Sequence, residues 1–362
     1  MCNSKRLNKN LLAAALLTTL PMTALAPMTA LAHNQTPHPV PADKFDMMNW
    51  KITLPMDKDN NGRADEIEGV VMLSYSHHQF FFLDENDNMV FEVSNMAVTT
   101  KGSTNARSEL RQMGRGTDVD ISVKAPENNW AIAAHPQAES FSAVGGTLEA
   151  TLKVNHVATR SKNPEKYPAY SVVVGQIHAG KDPAQLEANT GFGHGNEPLK
   201  IFYKKWPNHK MGSVFWTYER NLAKADPDRT DIAYPVWGNT WENNAEPGDK
   251  GIALGEEFSY SVKVEGNIMQ LAFEAEGHPT VKYELDLSNN VDAYGKVDKK
   301  DFAKGYANEW FYFKAGAYGQ CSVKTGDNFW ATGCEGTGDF ETDKKYGDYS
   351  SATFSELKLN GK

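Results

Sequence analysis

Residues 310–320 read WFYFKAGAYGQ, and the alternation within this stretch decides the fold class. Successive residues of a β-strand point to opposite faces of the sheet. One face of this segment is apolar or small, and the other carries Tyr312, Lys314, Gly316, Tyr318 and Gln320. Such a segment is either an amphipathic strand with its polar side in water or a strand that lines a polar cleft. Taken alone, the segment favours the first interpretation.

The rest of the chain shows the same pattern of short β-like runs, separated by Gly, Pro and Asn. The runs lie at 49–55, 70–74, 80–83, 89–93, 146–154, 169–178, 199–204, 213–218, 257–264, 267–275, 281–287 and 352–359. Many short strands with turn residues between them predict an all-β sandwich or jelly roll. Polar inserts at 160–168, 178–198 and 223–251 are predicted to be loops at the sheet rim. We find no internal repeat or change in composition, so we expect a single domain over 45–362.

The first 32 residues are typical of a secretory signal peptide. Lys5, Arg6 and Lys9 precede an apolar run at 11–20, and small-residue tripeptides end at Ala26 and Ala32. The apolar run is too short to span a bilayer, which favours cleavage over anchoring. We therefore expect export to the periplasm or the medium and no membrane attachment after cleavage. A Pro-rich stretch at 33–44 is predicted to be a flexible arm.

The net charge argues against nucleic acid as a partner. The whole chain carries −9, and removal of the leader, with three basic and no acidic residues, takes this to −12. A polyanionic ligand would then need a local basic cluster. We expect the mature protein to be a monomer.

Two cysteines remain after removal of the leader. Cys321 and Cys334 are separated by a segment that contains Gly326 and Gly333, which permits a disulfide in an oxidising compartment. A disulfide closing a loop of this length would stabilise the fold by about 3 kcal/mol. The alternative is a pair of buried free thiols.

The segment DKDNNGRADEIE at 57–68 resembles a calcium-binding loop. Acidic, amide and glycine residues occupy the expected positions, namely Asp57, Asp59, Asn61, Gly62, Asp65 and Glu68. A helix is required on each side of such a loop, but Leu54 and Pro55 precede this one. An acidic turn is the alternative. We predict no metal among the functional residues, and any bound calcium would be structural.

Two further segments carry polar residues at strand spacing. In RSELR (107–111), Arg107, Glu109 and Arg111 share one face. In GQIH (175–178), Gln176 and His178 share one face, with Ile177 opposite. Surface ion pairs and a surface histidine are the ordinary alternatives.

Together, the three polar segments limit the chemistry. They supply one carboxylate, whereas a conventional glycosidase needs two. They also supply no Ser-His-Asp arrangement and no cluster of metal ligands. Arg and Gln can neutralise a substrate carboxylate, His can take a proton next to it, and Tyr can donate one to a leaving oxygen. This set is suited to β-elimination in a polyuronate.

The sequence resembles the polysaccharide lyase family 7 alginate lyases. The blocks RSELR, QIH and YFKAGAYGQ occur in the family's order, and NWKITLP at 49–55 and DFETDKKYGDYSSATFSEL at 339–357 are also similar. The resemblance implies a β-jelly roll of two antiparallel sheets with alginate in a groove. It implies no cofactor for the chemistry.

The resemblance also implies residue roles. His178 would be the general base and Tyr318 the general acid, and Arg107 with Gln176 would neutralise the C5 carboxylate. Arg111 and Lys314 would bind neighbouring uronates, and Glu109 would orient the arginines. Tyr312 and Gln320, on the face that carries Tyr318, complete the predicted substrate-binding set.

Within the family, isoleucine in QIH is associated with guluronate-containing blocks, and valine with polymannuronate. The sequence therefore favours endolytic cleavage of guluronate or mixed blocks, with polymannuronate as the other option. A non-catalytic carbohydrate-binding jelly roll is the alternative from a different class of protein. Such a module could dispense with His178 and Tyr318.

Overall fold

Seventeen strands form the framework of the part of the chain that the structure describes. The computed structural model describes residues 39–360. The strands in chain order are β1 (Trp50–Thr53), β2 (Glu66–Ile67), β3 (Phe81–Leu83), β4 (Met89–Ser94), β5 (Arg107–Gln112), β6 (Trp130–Ala131), β7 (Ala143–Val144), β8 (Gly146–His156), β9 (Ser171–Ala179), β10 (Leu199–Lys204), β11 (Ser213–Glu219), β12 (Asp231–Trp237), β13 (Glu257–Glu265), β14 (Ile268–Ala275), β15 (Val281–Asp286), β16 (Trp310–Gly319) and β17 (Tyr349–Leu359). The helices are short: α1 (Pro183–Glu187) and α2 (Phe340–Tyr346).

The strands form two sheets. Sheet A has the order β12-β11-β10-β9-β16-β5-β1-β2, with β6 and β7 attached beside β16. Sheet B has the order β15-β14-β13-β8-β17-β4-β3. Every pairing is antiparallel except the short β6–β7 contact. The predicted all-β jelly roll is confirmed.

The core lies between the two sheets. Several large apolar side chains from both sheets are 0% exposed, among them Ile52, Leu110, Ile177 and Phe313 from sheet A and Phe91, Leu152, Val262 and Phe354 from sheet B. Burying one such side chain contributes about 1.5–3 kcal/mol relative to leaving it in water. The apolar face of each sheet therefore packs in the core, and the polar residues of sheet A must lie on the opposite face of that sheet.

Strand β16 lies near the middle of sheet A, between β9 and β5. Its register aligns the three polar segments. Tyr318 pairs with Arg107, Lys314 lies between Arg111 and Gln176, and Tyr312 pairs with His178. The side chains of these pairs share the outer face of sheet A, hereafter the polar face.

Strand β9 does not alternate regularly. Val172, Val174 and Ile177 all lie in the main core, whereas Val173 packs on the other face with Phe202. The register shifts against β16 and against β10 account for this change of side. Through this irregularity a fully apolar run can precede Gln176 and His178 while both of them still face outward.

Two glycines are required at this irregularity. A Cβ on Gly175 would lie 2.7 Å from the Tyr260 hydroxyl oxygen, which donates a hydrogen bond to the Val174 carbonyl. Gly316 has φ +139°, and a Cβ there would lie 2.7 Å from the Ser108 carbonyl oxygen. A side chain on Gly175 would push the two sheets apart, and one on Gly316 would push β16 away from β5.

Two predicted elements differ in the structure. Residues 70–74 were predicted to be a strand, but Gly69–Ser74 form a 3-10 helix, in which Met72 is buried and Val70 is exposed. Strand β12 lies within the insert predicted to be a loop. Tyr234 and Trp237 supply its buried side, and Pro235 is tolerated because β12 is an edge strand.

The predicted signal peptide at 1–32 lies outside the described residues. Of the predicted arm at 33–44, residues 39–44 are described and include a 3-10 turn, Pro41–Asp43, whose Pro41 is buried. Within the part of the chain that the structure describes, no helix combines the length and hydrophobicity needed to cross a membrane.

The predicted disulfide is confirmed. Cys321 follows β16 and is bonded to Cys334, with the Cα atoms 5.5 Å apart. The loop that it closes carries Trp330, which packs against the small cluster around Phe202 and Tyr318 on the polar face. The disulfide thus ties an aromatic loop to the end of the strand that bears Tyr318.

Candidate active site

Glu109 is the centre of the polar face. Its carboxylate accepts a hydrogen bond from Arg107 Nη1 at 2.9 Å and also contacts Lys314 Nζ and Gln176 Nε2. These donors come from β5, β16 and β9 and meet above Gly316, which pairs with Glu109 and has no side chain to obstruct them. Glu109 is almost fully buried, so its charge depends on these partners.

Arg107 links Glu109 to Tyr318. Its guanidinium lies over the Tyr318 ring, 3.8 Å from the centroid. Ser103 Oγ accepts from Arg107 Nη2 at 3.1 Å and lies 3.0 Å from the Tyr318 hydroxyl. Burial alone would lower the pKa of Arg107, but Tyr318 and Glu109 outweigh it and raise the pKa. A permanent cation therefore lies against the phenol predicted to be the acid.

Two buried polar atoms on this face have no hydrogen-bond partner among the residues that the structure describes. They are Arg107 Nε and Gln176 Oε1. Nearly all buried polar atoms in folded proteins are satisfied, so exceptions require an explanation. Both belong to residues predicted to bind the reacting carboxylate; an acceptor of a ligand would satisfy Arg107 Nε, and a ligand hydroxyl would satisfy Gln176 Oε1.

His178 is held on both sides of its ring. Nδ1 lies 2.6 Å from the Ala179 carbonyl oxygen, and the ring stacks on Tyr312 at a centroid distance of 5.1 Å. Nε2 lies 3.2 Å from Glu197 Oε1. Burial lowers the pKa of His178 to about 4, although Glu197 opposes this effect. The imidazole is therefore neutral at neutral pH and able to accept a proton.

The pKa of Lys314 is also lowered by its surroundings. Burial and the neighbouring Arg107 lower its pKa to about 8, while Glu109 acts in the opposite direction. Its ammonium group is charged at neutral pH and loses its charge in mildly alkaline solution. Together with Arg107, it gives the centre of the polar face a positive balance against the single charge of Glu109, as an anionic substrate requires.

The interpretation of Arg111 needs a correction. Glu109 was predicted to orient both arginines, but Arg111 instead donates to the Val123 carbonyl at 3.2 Å and to Asn129 Oδ1 at 2.8 Å. Its guanidinium lies 3.9 Å above the Tyr312 ring. The reason is that the loop between β5 and β6 supplies acceptors that the β5 pattern alone does not reveal.

Gln320 lies at the end of β16 and is buried. Its side-chain amide donates to the Tyr318 carbonyl oxygen at 3.2 Å. Tyr312, by contrast, lies between Arg111 and His178 and contacts both. Among the predicted binding residues, Tyr312 is therefore placed beside the predicted base, while Gln320 braces the strand.

A second charged group on the polar face was not predicted. Glu197 precedes β10 and contacts Lys200 Nζ at 3.2 Å, and Lys200 also pairs with Asp231 at 2.7 Å. Glu197 lies in an insert with no strand pattern, so nothing in the sequence marked it. The sequence could have identified Lys200, because a lysine in the apolar strand LKIFYK needs a buried partner of opposite charge.

Glu197 and Glu219 form a carboxyl pair. The Glu197 backbone N–H donates to Glu219 Oε2 at 2.8 Å, and Arg229 Nη2 lies 2.7 Å from Glu219 Oε1. Burial would raise the pKa of Glu197, but Lys200 and His178 outweigh it and hold the pKa below its usual range. Burial and the charge of Glu197 raise the pKa of Glu219.

The Glu197–Glu219 pair lacks the spacing of glycosidase carboxyl groups. The sequence segments suggested a single carboxylate, but the folded polar face holds several. Glycosidase carboxyl groups flank a sugar at about 5 Å or more. Glu197 and Glu219 interact directly with each other, which leaves no room for a glycosidic bond between them.

The acidic loop at 57–68 forms a turn between two strands. Asp57, Asp59 and Asp65 bring carboxylate oxygens within 4.8 Å of one another. Asp57 accepts from the backbone N–H groups of Asn61 and Gly62, at 2.9 and 2.8 Å. Strands β1 and β2 flank the loop, so the helix pair of an EF-hand is not formed.

Comparison with known proteins identifies relatives along nearly the whole chain. A family model described as alginate lyase matches residues 45–361. The chain is 35% identical to an alginate lyase of Klebsiella pneumoniae over 330 residues, which cover 88% of this chain and 91% of that protein.

Solved structures agree with the sequence relatives. The crystal structure of the alginate lyase from Klebsiella pneumoniae matches with a TM-score of 0.68 at 30% identity, covering 90% of this chain and 99% of that chain. An exolytic family 7 alginate lyase from Zobellia galactanivorans matches with a TM-score of 0.70 at 34% identity, covering 89% and 98%.

Proposed function

Since this chain belongs to the alginate lyase family and is a polysaccharide lyase, we propose that it cleaves alginate by β-elimination on the polar face of sheet A. The observation that carries this proposal is the register of β16. It brings Arg107, Gln176, His178 and Tyr318 onto adjacent strands of one face. The alternative of a non-catalytic carbohydrate-binding module is set aside, because the family is one of enzymes.

The base in this mechanism is Nε2 of His178. The Ala179 carbonyl can only accept, so the hydrogen between it and Nδ1 belongs to Nδ1. In the neutral ring Nε2 then has the free electron pair. Nε2 takes the C5 proton of the uronate, and the electron pair of the C5–H bond moves toward the carboxylate carbon.

Arg107 and Gln176 stabilise the charge that develops on the substrate carboxylate. Arg107 Nε has no partner in the protein, and Gln176 Nε2 retains a second N–H besides the one directed at Glu109. Fixed donors in a buried site stabilise such a charge without reorganisation at the moment of reaction. The unpaired Arg107 Nε–H of the free protein thus becomes a contact of the reacting group.

Tyr318 completes the reaction as the acid. As the C4–O bond breaks, its hydroxyl proton passes to the leaving oxygen and a C4–C5 double bond forms. Arg107 over the ring and Ser103 at 3.0 Å from the hydroxyl stabilise the phenolate that remains. Lys314 and Arg111 are proposed to bind neighbouring uronates, although the donors of Arg111 are largely engaged by protein oxygens. No cofactor takes part in these steps.

We further propose endolytic cleavage with a preference for guluronate or mixed blocks. The preference rests on Ile177, which lies in the core between Leu199 and Phe313 and can act on the polar face only through the β9 backbone. Exolytic cleavage is the second candidate, favoured by the exolytic relative at 34% identity. Endolytic action lowers the viscosity of alginate before much product accumulates, whereas exolytic action releases small products first.

The proposal includes export of the mature enzyme after removal of residues 1–32. N-terminal sequencing of the protein from the periplasm and from the medium would locate the cleavage site and the compartment.

The direct test of the function is incubation of the mature protein with purified polyguluronate and polymannuronate. We expect a rise in ultraviolet absorbance from the new C4–C5 double bond, larger with polyguluronate, and retained after treatment with a chelator. The absence of a rise with both polymers, from a sample whose circular dichroism shows a folded β protein, would overturn the proposal.

A further inference from the structure

Glu197 is fixed beside the base by contacts on several sides. Its Oε1 lies 3.2 Å from His178 Nε2, and its Oε2 lies 3.2 Å from Lys200 Nζ. Its backbone N–H donates to Glu219 Oε2 at 2.8 Å. The segment before β10 is thereby anchored to β11, and the carboxylate cannot swing freely away from the imidazole.

Glu197 contacts Nε2 of His178, the ring nitrogen that takes up the proton. Because Nδ1 is engaged with the Ala179 carbonyl, Nε2 is the nitrogen that takes up a proton. A half turn of the ring would keep it stacked on Tyr312 but would lose this bond to the Ala179 carbonyl. Glu197 therefore lies beside the one nitrogen whose charge state changes in the reaction.

The other charged groups around His178 act against protonation. Besides Glu197, the titratable groups close to it are Arg107 on β5 and Tyr312 and Lys314 on β16. Lys314 and Arg107 disfavour an imidazolium. Among the residues that the structure describes, Glu197 alone places a carboxylate within ion-pair distance of His178.

We propose that Glu197 is a positioning residue that acts through His178: it stabilises the imidazolium formed when Nε2 takes the C5 proton. The inference rests on the proposed function, in which His178 is the base. In the step itself the C5–H bond breaks and an Nε2–H bond forms. The positive charge that appears on the ring then faces the negative charge of Glu197 in a buried setting, where such a pair is effective.

The test is Glu197→Gln, which keeps the shape and removes the charge. Lys200 retains Asp231 as a partner, so the substitution leaves no cation unpaired. We expect kcat to fall about tenfold, because loss of an opposite charge this close lowers basicity by about one pKa unit or more. We expect KM not to rise, because a negative charge is removed from the path of an anionic substrate.

A second readout does not depend on activity. Titration of the His178 ring followed by NMR should show a lower pKa in Glu197→Gln than in the wild type, and the acid limb of kcat/KM should move in the same direction. An unchanged His178 titration together with an unchanged acid limb would overturn the proposal. A purely structural role would lower stability or raise KM without moving either titration.

The molecule offers a matched control. Glu256 Oε1 lies 2.7 Å from His278 Nε2, a second His–Glu pair, whose carboxylate lies beside β13 of sheet B. Glu256→Gln should leave kcat and the His178 titration unchanged. Should Glu197→Gln fail to fold, Glu197→Asp keeps the charge but withdraws it by one methylene, and an intermediate kcat is expected. A Glu197→Asp variant with wild-type kcat and His178 titration would also overturn the proposal.

The variant His178→Asn distinguishes failure of this inference from failure of the proposed function on which it rests. If that variant retains full activity, the proposed function fails at its base, while the NMR titration of Glu197→Gln still tests the contact. If His178→Asn is inactive and Glu197→Gln behaves as the wild type in both readouts, only the inference about Glu197 fails.

Discussion

The outer faces of the two sheets carry similar residues in different surroundings. On β13 of sheet B, buried and exposed positions alternate along the strand, and the polar residues are the exposed ones. On β5, β10 and β11 of sheet A, almost every residue is buried, polar and apolar alike. Lys263 on β13 is 49% exposed and paired with Glu265, whereas Lys314 on β16 is 7% exposed and paired with Glu109.

This difference shows what alternation can and cannot reveal. The period of two identifies an amphipathic strand in both sheets. It does not reveal whether the polar side meets water or other polar side chains. Charges buried together need partners of opposite sign, and this requirement fixes their geometry. Fixed, partly desolvated charges are suited to catalysis, whereas the solvated pairs of sheet B contribute little.

The largest contrast is expected for two half-buried tyrosines, one on each sheet. Tyr318→Phe removes the proposed acid, and kcat should fall by about a thousandfold, within the range typical of general acid–base catalysis. Tyr283→Phe on β15 removes a hydroxyl that donates to the Pro235 carbonyl at 2.6 Å, and it should leave kcat unchanged. Initial rates from the absorbance of the unsaturated product measure both. Full activity in Tyr318→Phe would exclude it as the acid.

The next contrast concerns stability. Glu109→Gln leaves Arg107 and Lys314 without their shared counter-charge in a buried site, which should lower the free energy of unfolding by about 3–5 kcal/mol. Glu265→Gln removes the partner of an exposed lysine and should have no measurable effect. Denaturant unfolding followed by circular dichroism compares the two. Equal stabilities would show that the polar face of sheet A is as well solvated as that of sheet B.

A third prediction concerns pH. An ordinary histidine has a pKa of about 6.5, and from the sequence alone we expect activity to fall below that value. Burial lowers the pKa of His178 to about 4, so the neutral, active form persists as pH falls and is lost only near that value. The acid limb of kcat/KM should therefore lie well below 6.5. A limb at 6.5, measured where circular dichroism shows a folded protein, would mean that His178 is solvated like a surface residue.

The smallest contrast concerns two lysines. Lys314→Met removes a charged contact to the substrate and should raise KM by about tenfold, the factor that a charge-assisted hydrogen bond typically supplies. Lys263→Met on the outer face of sheet B should leave KM unchanged. In the wild type, KM should also rise as pH passes through about 8, where Lys314 loses its charge. A KM in Lys314→Met equal to that of Lys263→Met would remove Lys314 from the binding site.

Much of the fold follows from local patterns. The segment at 310–320 has the period of a strand, and the register then places Tyr318 beside Arg107 and Tyr312 beside His178 as the shared polar face requires. The hydrophobic side of each strand specifies this register, because a shift by one residue would place Phe313 on the polar side. This is why the three polar segments could be assigned to one face from the sequence.

What could not be predicted depends on contacts between distant segments. Glu197 reaches His178 from a loop whose path is set by β10 and β11, and Ser103 reaches Tyr318 from the segment before β5. Arg111 turns toward carbonyl groups of another loop. The Val173 side chain lies on the polar face because the pairing of β9 shifts in register against both β10 and β16. None of these contacts leaves a periodic mark in the sequence.

The position of β17 has a consequence for the order of synthesis. This strand, Tyr349–Leu359, lies between β8 and β4 near the middle of sheet B, although it is translated long after both. Ribosomes add about 5–20 residues per second, so β8 waits on the order of 10 s or more for its neighbour. During that interval the nascent chain cannot complete its core. For a chain with a predicted export leader this delay is useful, because a polypeptide that cannot fold early remains able to thread through a translocation channel.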